Sequence, residues 1–182
     1  METQMIEAIG MEIVVESASE LKKAKIAPKT RAFALCFIHG AGKHGRRLLE
    51  HTTAVDRENG RNPSWNETIS FALPESSIQQ DRLLFTVQIC NQSTWRPHVI
   101  GHVTVPLKEL AKQPLENGES FQVLGPSGKP KGTLNLSVRL SKNRTRIHVH
   151  QFPHPRSHAV TAKGNDFCAQ IASVAGISSN FF

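Results

Sequence analysis

The stretch of this sequence closest to a catalytic motif is Gly40-Ala-Gly-Lys-His-Gly-Arg-Arg, which imitates a glycine-rich phosphate-binding loop. Such a loop needs a Ser or Thr after its lysine and a strand-to-helix junction, and here Lys43 is followed by His44 without that context. The sequence also has no Gly-x-Ser-x-Gly elbow and no helix-borne His-Glu pair. We therefore interpret the segment as a basic turn, and we expect a protein that is not an enzyme, with no catalytic residue and no cofactor.

Histidine and cysteine are the other candidates for site chemistry. Four of the nine histidines lie close together: His148, His150, His154 and His158. They alternate with prolines in a segment without a scaffold to fix ligand geometry, so adventitious metal binding is expected there, not a specific site. The three cysteines are widely spaced and form no Cys-x-x-Cys pair: Cys36, Cys90 and Cys168. Reduced thiols are predicted, with neither a disulfide framework nor a zinc site.

The charge balance favours anionic partners. The chain has a formal net charge of +7, and residues 1–140 hold 17 Lys and Arg against 14 Asp and Glu, while residues 141–182 hold 5 against 1. Phospholipid head groups, nucleic acid and acidic proteins all fit such a balance. Nucleic acid is disfavoured because aromatic residues make up only 6% of the chain, Tyr is absent, and the basic residues lie on predicted loops without a recognition helix.

Alternating apolar residues predict seven or eight short strands separated by Gly- and Pro-rich turns. The predicted strands are Met11–Ser17, Phe33–Ile38, Leu48–Val55, Trp65–Leu73, Leu83–Ile89, Val99–Leu107, Phe121–Leu124 and Leu134–Leu140. One helical turn is predicted at Lys108–Lys112, and crossover helices for a parallel sheet are missing. The sequence therefore predicts an all-β, antiparallel two-layer sandwich, because each one-sided strand must bury its apolar face against another.

The alternation stops near residue 140. Residues 1–140 are predicted to form the sandwich, and residues 141–182 a basic, His- and Ser-rich tail that is mostly disordered. Within the tail, apolar residues recur near helical spacing at Phe167, Ile171, Val174 and Phe181. A short amphipathic helix that docks on the domain, a partner or a membrane is the alternative to disorder.

The first residues, Met1-Glu-Thr-Gln-Met-Ile-Glu, lack the cationic and apolar regions of a secretory signal. The sequence also contains no apolar run of 18 residues. We expect a protein that faces the cytosol.

Four blocks carry a resemblance to a known family: Met11-Glu-Ile-Val-Val-Glu-Ser-Ala-Ser-Glu-Leu, Asn62-Pro-Ser-Trp-Asn-Glu-Thr-Ile-Ser-Phe, Ile100-Gly-His-Val-Thr-Val-Pro-Leu, and Pro126-Ser-Gly-Lys-Pro-Lys-Gly-Thr-Leu-Asn-Leu-Ser-Val-Arg-Leu. In this order they resemble a C2 domain, and specifically the small plant C2 proteins of the copine-associated and cold-regulated type. The resemblance covers residues 11–140. It implies an eight-stranded C2-type β-sandwich and a role in plant stress or defence signalling, with restraint of cell death through copine-type membrane proteins.

Calcium-binding C2 domains place about five aspartates on two loops at one end of the sandwich, because a hard cation requires several oxygen ligands. By the resemblance, the corresponding positions here carry no carboxylate: Lys25, Arg31, Asn91, Ser93 and Pro97. Neutral oxygen ligands do not offset the free-energy cost of dehydrating a divalent cation, and the nearby positive charges repel the ion. Calcium binding is therefore expected to be lost, and no metal site is predicted.

The same substitutions leave a cationic loop end. The candidate lipid-binding residues are Lys22, Lys23, Lys25, Lys29, Arg31, Trp95 and Arg96. Each cation near an anionic leaflet contributes roughly 1 kcal/mol before screening, and a Trp ring is suited to head-group depth. In the alternative interpretation, the lysines only form a solvated surface and Trp95 caps the core.

These observations predict a calcium-independent module that docks on anionic membrane surfaces and on a protein partner, for which a copine-type protein is the candidate. Its expected location is cytoplasmic, on the cytosolic face of the plasma membrane or of endomembranes. A protein-only adaptor that binds an acidic partner without lipid contact is the alternative, and deletion of residues 141–182 separates the two.

Overall fold

The computed structural model describes residues 3–22, 30–41, 47–79, 82–93, 96–112, 117–140 and 145–150, with side chains described from residue 8 to residue 140 of these ranges. The strands are β1 (Thr3–Ser19), β2 (Ala32–Gly40), β3 (Arg47–Thr52), β4 (Ser64–Pro74), β5 (Leu83–Asn91), β6 (His98–Pro106), β7 (Glu119–Leu124), β8 (Pro130–Leu140) and β9 (Thr145–His150). Two short helices, α1 (Glu75–Gln79) and α2 (Leu107–Lys112), follow β4 and β6. The predicted helical turn corresponds to α2, whereas α1 was not predicted.

The strands pair in the order β3-β2-β5-β6-β7-β8-β1-β4, and every pairing is antiparallel. Among the described residues, a single pair, His102 with Leu124, joins β6 to β7, so the path divides into a sheet β3-β2-β5-β6 and a sheet β7-β8-β1-β4. One core cluster contains buried residues from both sheets, among them Ile13, Phe85 and Leu136. The predicted all-β, antiparallel C2-type sandwich is thereby confirmed.

Trp65 connects the two sheets at the start of β4. Between Val15 and Ser17 the register with β1 shifts, so that Trp65 and Asn66 stand where β1 has one residue. Asn66 adopts a left-handed backbone conformation with φ of 50°, as expected in a bulge. Trp65 packs against the core and its Nε1 donates a hydrogen bond to the Ala32 carbonyl at 3.2 Å.

A close approach at Gly101 fixes the corner between β6 and β7. A Cβ at this position would lie 2.6 Å from Val123 Cγ1 and 2.7 Å from the Leu124 carbonyl oxygen. Both distances are shorter than atomic contact permits, so the corner closes only around a glycine.

Two strand boundaries differ from the expectation. β1 begins at Thr3, ahead of the predicted Met11, and its first residues pair with β9, from Thr3 opposite His150 to Ala8 opposite Thr145. β9 lies within the segment predicted as tail, beyond the eight strands expected from the sequence. The backbone hydrogen bonds of β1 explain the difference, because the strand extends past the end of β8 and pairs with the chain that follows. The remaining tail residues, including the predicted amphipathic segment, lie outside the described residues.

Candidate functional site

Four loops meet at one end of the sandwich. Because all pairings are antiparallel, β1, β3, β5 and β7 run in one direction and β2, β4, β6 and β8 in the other. The four odd-to-even connections therefore share one end, which we call the loop rim: residues 20–31, 53–63, 92–97 and 125–129. The two loops singled out in the sequence are brought together there, and two further loops join them.

The predicted lipid-binding residues that the structure describes all lie on the loop rim. Lys22, Arg31 and Arg96 are exposed, and the Lys22 backbone N donates to the Lys131 carbonyl at 2.9 Å. Lys23, Lys25, Lys29 and Trp95 fall outside the described residues. The structure thus supports a shared cationic surface for three of the seven candidates and leaves the other four as predictions.

Asn91 joins the first and third rim loops. Its buried side chain accepts a hydrogen bond at Oδ1 from the Arg31 backbone N at 2.7 Å, and the Gln92 N donates to the Arg31 carbonyl at 2.8 Å. The amide oxygen at this degenerate calcium position is therefore used to hold the neighbouring loop. Ser93 is half-buried, and Pro97, which offers no side-chain oxygen, is exposed.

Asp56 organises the second rim loop. Its carboxylate accepts hydrogen bonds from the backbone N of Glu58, Asn59 and Ser64 and from the side chain of Asn59, at 2.7 to 2.9 Å. Partial burial raises the pKa of this carboxyl, but the hydrogen bonds outweigh it and lower the pKa to about 2. Asp56 therefore stays ionised as the internal anchor of a turn, in the manner of an Asx turn.

Several cations of the loop rim were missed in the sequence. The described rim residues include six Lys or Arg against three Asp or Glu. The cations not predicted are Arg57, Arg61 and Lys129. No signal for their position was available from the sequence, because which loops share an end depends on the order in which the strands pair.

A concave pocket opens on the loop rim. Glu20, Lys22, Arg61 and Asn62 line it, and its volume is about 390 Å³. Arg61 is oriented by a hydrogen bond from Nε to the Leu21 carbonyl at 2.8 Å, and Asn62 Oδ1 accepts from the Glu20 backbone N at 2.9 Å. The pocket therefore presents a cation whose side chain is held in one orientation.

Apolar side chains also reach this end of the molecule. Val99, near the start of β6, and Leu124, at the end of β7, are 39% and 36% exposed. In the part of the chain that the structure describes, these are the exposed large hydrophobic residues. Cations and exposed apolar groups thus coincide at the loop rim, the combination expected of a surface that meets lipid.

The titratable side chains of the described residues form no metal centre. Among the described ranges, no three His, Cys, Asp or Glu side chains lie close enough together to hold a metal ion. His39 Nε2 lies 3.0 Å from the Thr86 hydroxyl, and its Nδ1 lies 3.1 Å from the Gly40 carbonyl oxygen, so hydroxyl and carbonyl groups orient this ring. His51 Nε2 contacts Glu67 at 2.9 Å.

Both described cysteines are buried and free. Burial raises the pKa of the Cys36 thiol to about 12, with a further contribution from the Glu67 charge, and burial raises the pKa of Cys90. Thiols in such surroundings are poor nucleophiles, since the thiolate is the reactive form. As for membrane spans, neither described helix has the length or the apolar character needed to cross a bilayer.

Comparisons with known proteins agree with this architecture. The family model of the C2 domain matches residues 10–123. Protein SRC2 of Glycine max is 31% identical over 137 residues, which are 73% of this chain and 46% of that protein. Elicitor-responsive protein 1 of Oryza sativa subsp. japonica is 28% identical over 72 residues, which are 40% of this chain and 45% of that protein. The matched parts therefore span about half the length of these relatives.

A solved structure shares the fold. A C2 domain of plant Extended Synaptotagmin 1 superposes with a TM-score of 0.56 at 18% identity, covering 75% of this chain and 95% of that domain.

Proposed function

Because the chain belongs to the C2 domain family, we propose that it is a non-enzymatic module that docks through its loop rim on anionic membrane surfaces without calcium. The observation that carries the proposal is the rim's charge. The described rim residues include six cations and three acids, and the carboxylate of one acid, Asp56, accepts hydrogen bonds within its own turn. Anionic head groups are the natural partner of such a surface.

Calcium independence rests on the chemistry of the donor set. Calcium takes six to eight oxygen ligands, several of them carboxylates. At the degenerate positions the described side chains include the exposed Arg31, the Asn91 amide already bonded to the next loop, and the half-buried Ser93. Such a set does not fit the ion, and the rim cations act directly on the membrane in its place.

The names of the relatives support a biological setting for this proposal. Rice Elicitor-responsive protein 1 is named for its response to elicitors. We place this chain in plant stress and defence signalling, on the cytosolic face of the plasma membrane or of endomembranes. A copine-type protein is the proposed partner for restraint of cell death, as the resemblance described for the sequence implies.

A vesicle sedimentation experiment tests the docking. We expect equal pelleting on anionic vesicles with calcium and with a chelator. Replacing Arg31 and Arg96 by Glu should weaken binding by at least roughly fivefold for each site, since a juxtamembrane cation contributes about 1 kcal/mol.

The matched control is Arg82→Glu, because Arg82 is exposed and lies immediately before β5, at the end of the sandwich opposite the loop rim. It should bind as the unaltered chain does. Pelleting that requires calcium, or that Arg82→Glu reduces as strongly as the rim changes do, contradicts the proposal.

A protein-only adaptor remains the second candidate, favoured by apolar groups outside the core. This candidate is supported if the unaltered chain binds a protein partner but does not bind anionic vesicles.

A further inference from the structure

Strand β2 carries large apolar residues on its outward side as well as inward. Its buried positions include the small residues Ala32, Ala34 and Cys36 and the larger Ile38. The alternating half-buried positions are Phe33, Leu35, Phe37 and His39. In an ordinary strand of a sandwich the outward positions are polar, because the larger apolar side chains fill the core.

Neighbouring strands extend this apolar surface. Phe33 pairs with Cys90, Cys90 pairs with Val99, and His39 pairs with Leu84. Cys90 is only 5% exposed and yet does not belong to the core cluster, so it is covered by groups on the outside of the sheet. We define the apolar outer face by Phe33, Leu35, Phe37, Leu84 and Cys90, with Thr86 and Gln88 of β5 between the last two.

The outer face of the other sheet is different. There Ser19 and Thr133 hydroxyls lie 2.6 Å apart, the Ser120 hydroxyl donates to Asn135 Oδ1 at 2.6 Å, and Asn135 Nδ2 donates to Ser17 at 2.9 Å. That face also carries the exposed charges of Glu12 and Arg139, which stand opposite each other in the pairing of β1 with β8. By contrast, the outer face that contains β2 carries a row of large apolar side chains along one strand, and such a surface favours a specific occupant.

The charged pair at the edge of the apolar outer face and its central hydroxyl group already have partners. Arg47 lies 4.0 Å over the Phe37 ring and pairs with Glu50 at 2.8 Å. The Thr86 hydroxyl contacts both His39 and Thr104. An occupant of this face gains nothing from carrying a charge, because desolvating that charge would cost free energy without a free counter-charge among the described residues.

The sequence itself contains a suitable occupant. Residues 167–182 include no Asp, Glu, Lys or Arg, although charged residues form 20% of the chain. Their apolar residues recur at helical spacing: Phe167, Ile171, Val174, Ile177 and Phe181.

The chain is also long enough to bring this segment to the face. The 16 residues between His150 and Phe167 extend to roughly 50 Å. His150 lies opposite Thr3, which is about 17 Å along β1 from Ala8, and packed sheets lie ~10 Å apart, so the linker exceeds the sum of these two distances. Tethering by such a linker gives an effective concentration on the order of millimolar, so a weak contact suffices.

We propose that residues 167–182 dock on the apolar outer face as a short amphipathic helix. The contact covers Phe33, Leu35 and Phe37 and keeps this face from associating with other chains. It uses a surface other than the loop rim, so it does not depend on membrane docking.

Paramagnetic labelling tests the contact in the full chain. A thiol-directed spin label reacts selectively at Cys168, because Cys36 and Cys90 are buried with raised pKa values. Backbone amide signals of β2 and β5 near Phe33, Leu35 and Gln88 should lose most of their intensity. Signals of the polar outer face, near Ser120 and Asn135, should not.

Two neighbouring substitutions provide a matched pair. Ile171→Glu places a charge on the apolar stripe and should restore the lost signals, whereas Ala172→Glu places it on the opposite side of the helix and should leave the loss intact. Equal effects of the two substitutions, or no loss of signal in the unaltered chain, overturn the proposal.

Two further experiments, mixing of labelled with unlabelled chains and truncation of the chain, test whether something other than residues 167–182 covers the apolar outer face. If signal is lost when spin-labelled chains are mixed with unlabelled, isotope-enriched chains, a second copy occupies the face and the proposal fails. It also fails if the loss requires vesicles. A chain ending at Asp166 should bind more of a fluorescent apolar dye than the full chain, and an unchanged signal overturns the proposal.

Discussion

At the scale of single residues, Asp56 has a clear consequence for stability against pH. Its pKa is lowered to about 2 in the folded chain, against about 3.9 for an unfolded Asp. The folded state therefore binds fewer protons, so the stabilisation is present above pH ~4 and is lost as pH falls through the folded pKa.

The substitution Asp56→Ala should remove this stabilisation and leave three backbone N–H groups without their acceptor. We expect a loss of about 0.5–1.5 kcal/mol in the free energy of unfolding at neutral pH, because water can replace the acceptor at these exposed groups, and a smaller loss near pH 2. Urea unfolding at both pH values measures it. Glu58→Ala is the control, because this exposed carboxylate accepts none of these bonds. A loss independent of pH would contradict the assignment.

The buried thiols give a second prediction at this scale. Because burial raises the pKa values of Cys36 and Cys90, both should resist a thiol reagent in the native chain near neutral pH. The number of cysteines that react with the reagent should rise by at least two, out of three in the chain, when the protein is unfolded. Rapid modification of Cys90 in the folded chain would show that the apolar outer face opens readily.

At the scale of elements, the corner between β6 and β7 depends on Gly101. The substitution Gly101→Ala forces Cβ against Val123 and the Leu124 carbonyl, and overpacking of this kind costs roughly 1–3 kcal/mol. Thermal or denaturant unfolding measures the loss. His102→Ala, an exposed change one residue further along β6, should cost less than about 0.5 kcal/mol. A Gly101→Ala chain as stable as the His102→Ala chain would show that the corner relaxes.

The bulge at Trp65 and Asn66 shows how an element positions the loop rim. It turns β4 so that Trp65 reaches the Ala32 carbonyl at the start of β2. The hydrogen bond of Trp65 thereby fixes the second rim loop to the sheet that carries Arg31. The segment Asn62-Pro-Ser-Trp therefore helps to position the loop rim by packing Trp65 against the core.

At the scale of the whole molecule, docking through the loop rim should depend on salt. The described rim charges are exposed, and the Debye length falls from about 10 Å at 0.1 M to about 3 Å at 1 M salt. Vesicle binding should therefore weaken steadily with ionic strength. Binding to uncharged vesicles under the same conditions is the control, and it should be weak throughout. If vesicle binding did not depend on salt, the apolar side chains of Val99 and Leu124, and not the rim cations, would make the contact with the membrane.

The sequence by itself determined the fold class and one part of the rim. Period-two alternation in Leu83–Ile89 and Leu134–Leu140 required one-sided strands, and such strands are stable only when two sheets bury them. Lys22, Arg31 and Arg96 were identified because the loops that carry them match the family pattern. β9 was missed because its pairing with Thr3–Ala8 depends on a partner strand that is far away in sequence.

Only the tertiary structure decided which loops meet and which way β2 faces. Arg57, Arg61 and Lys129 join the loop rim because antiparallel pairing brings distant loops to one end. The segment Phe33-Ala-Leu-Cys-Phe-Ile is apolar on both sides, so its periodicity cannot tell inside from outside. In the structure Ala34, Cys36 and Ile38 face the interior between the sheets, where the space next to Ala34 and Cys36 is filled by other core side chains, and the two phenylalanines lie on the outside.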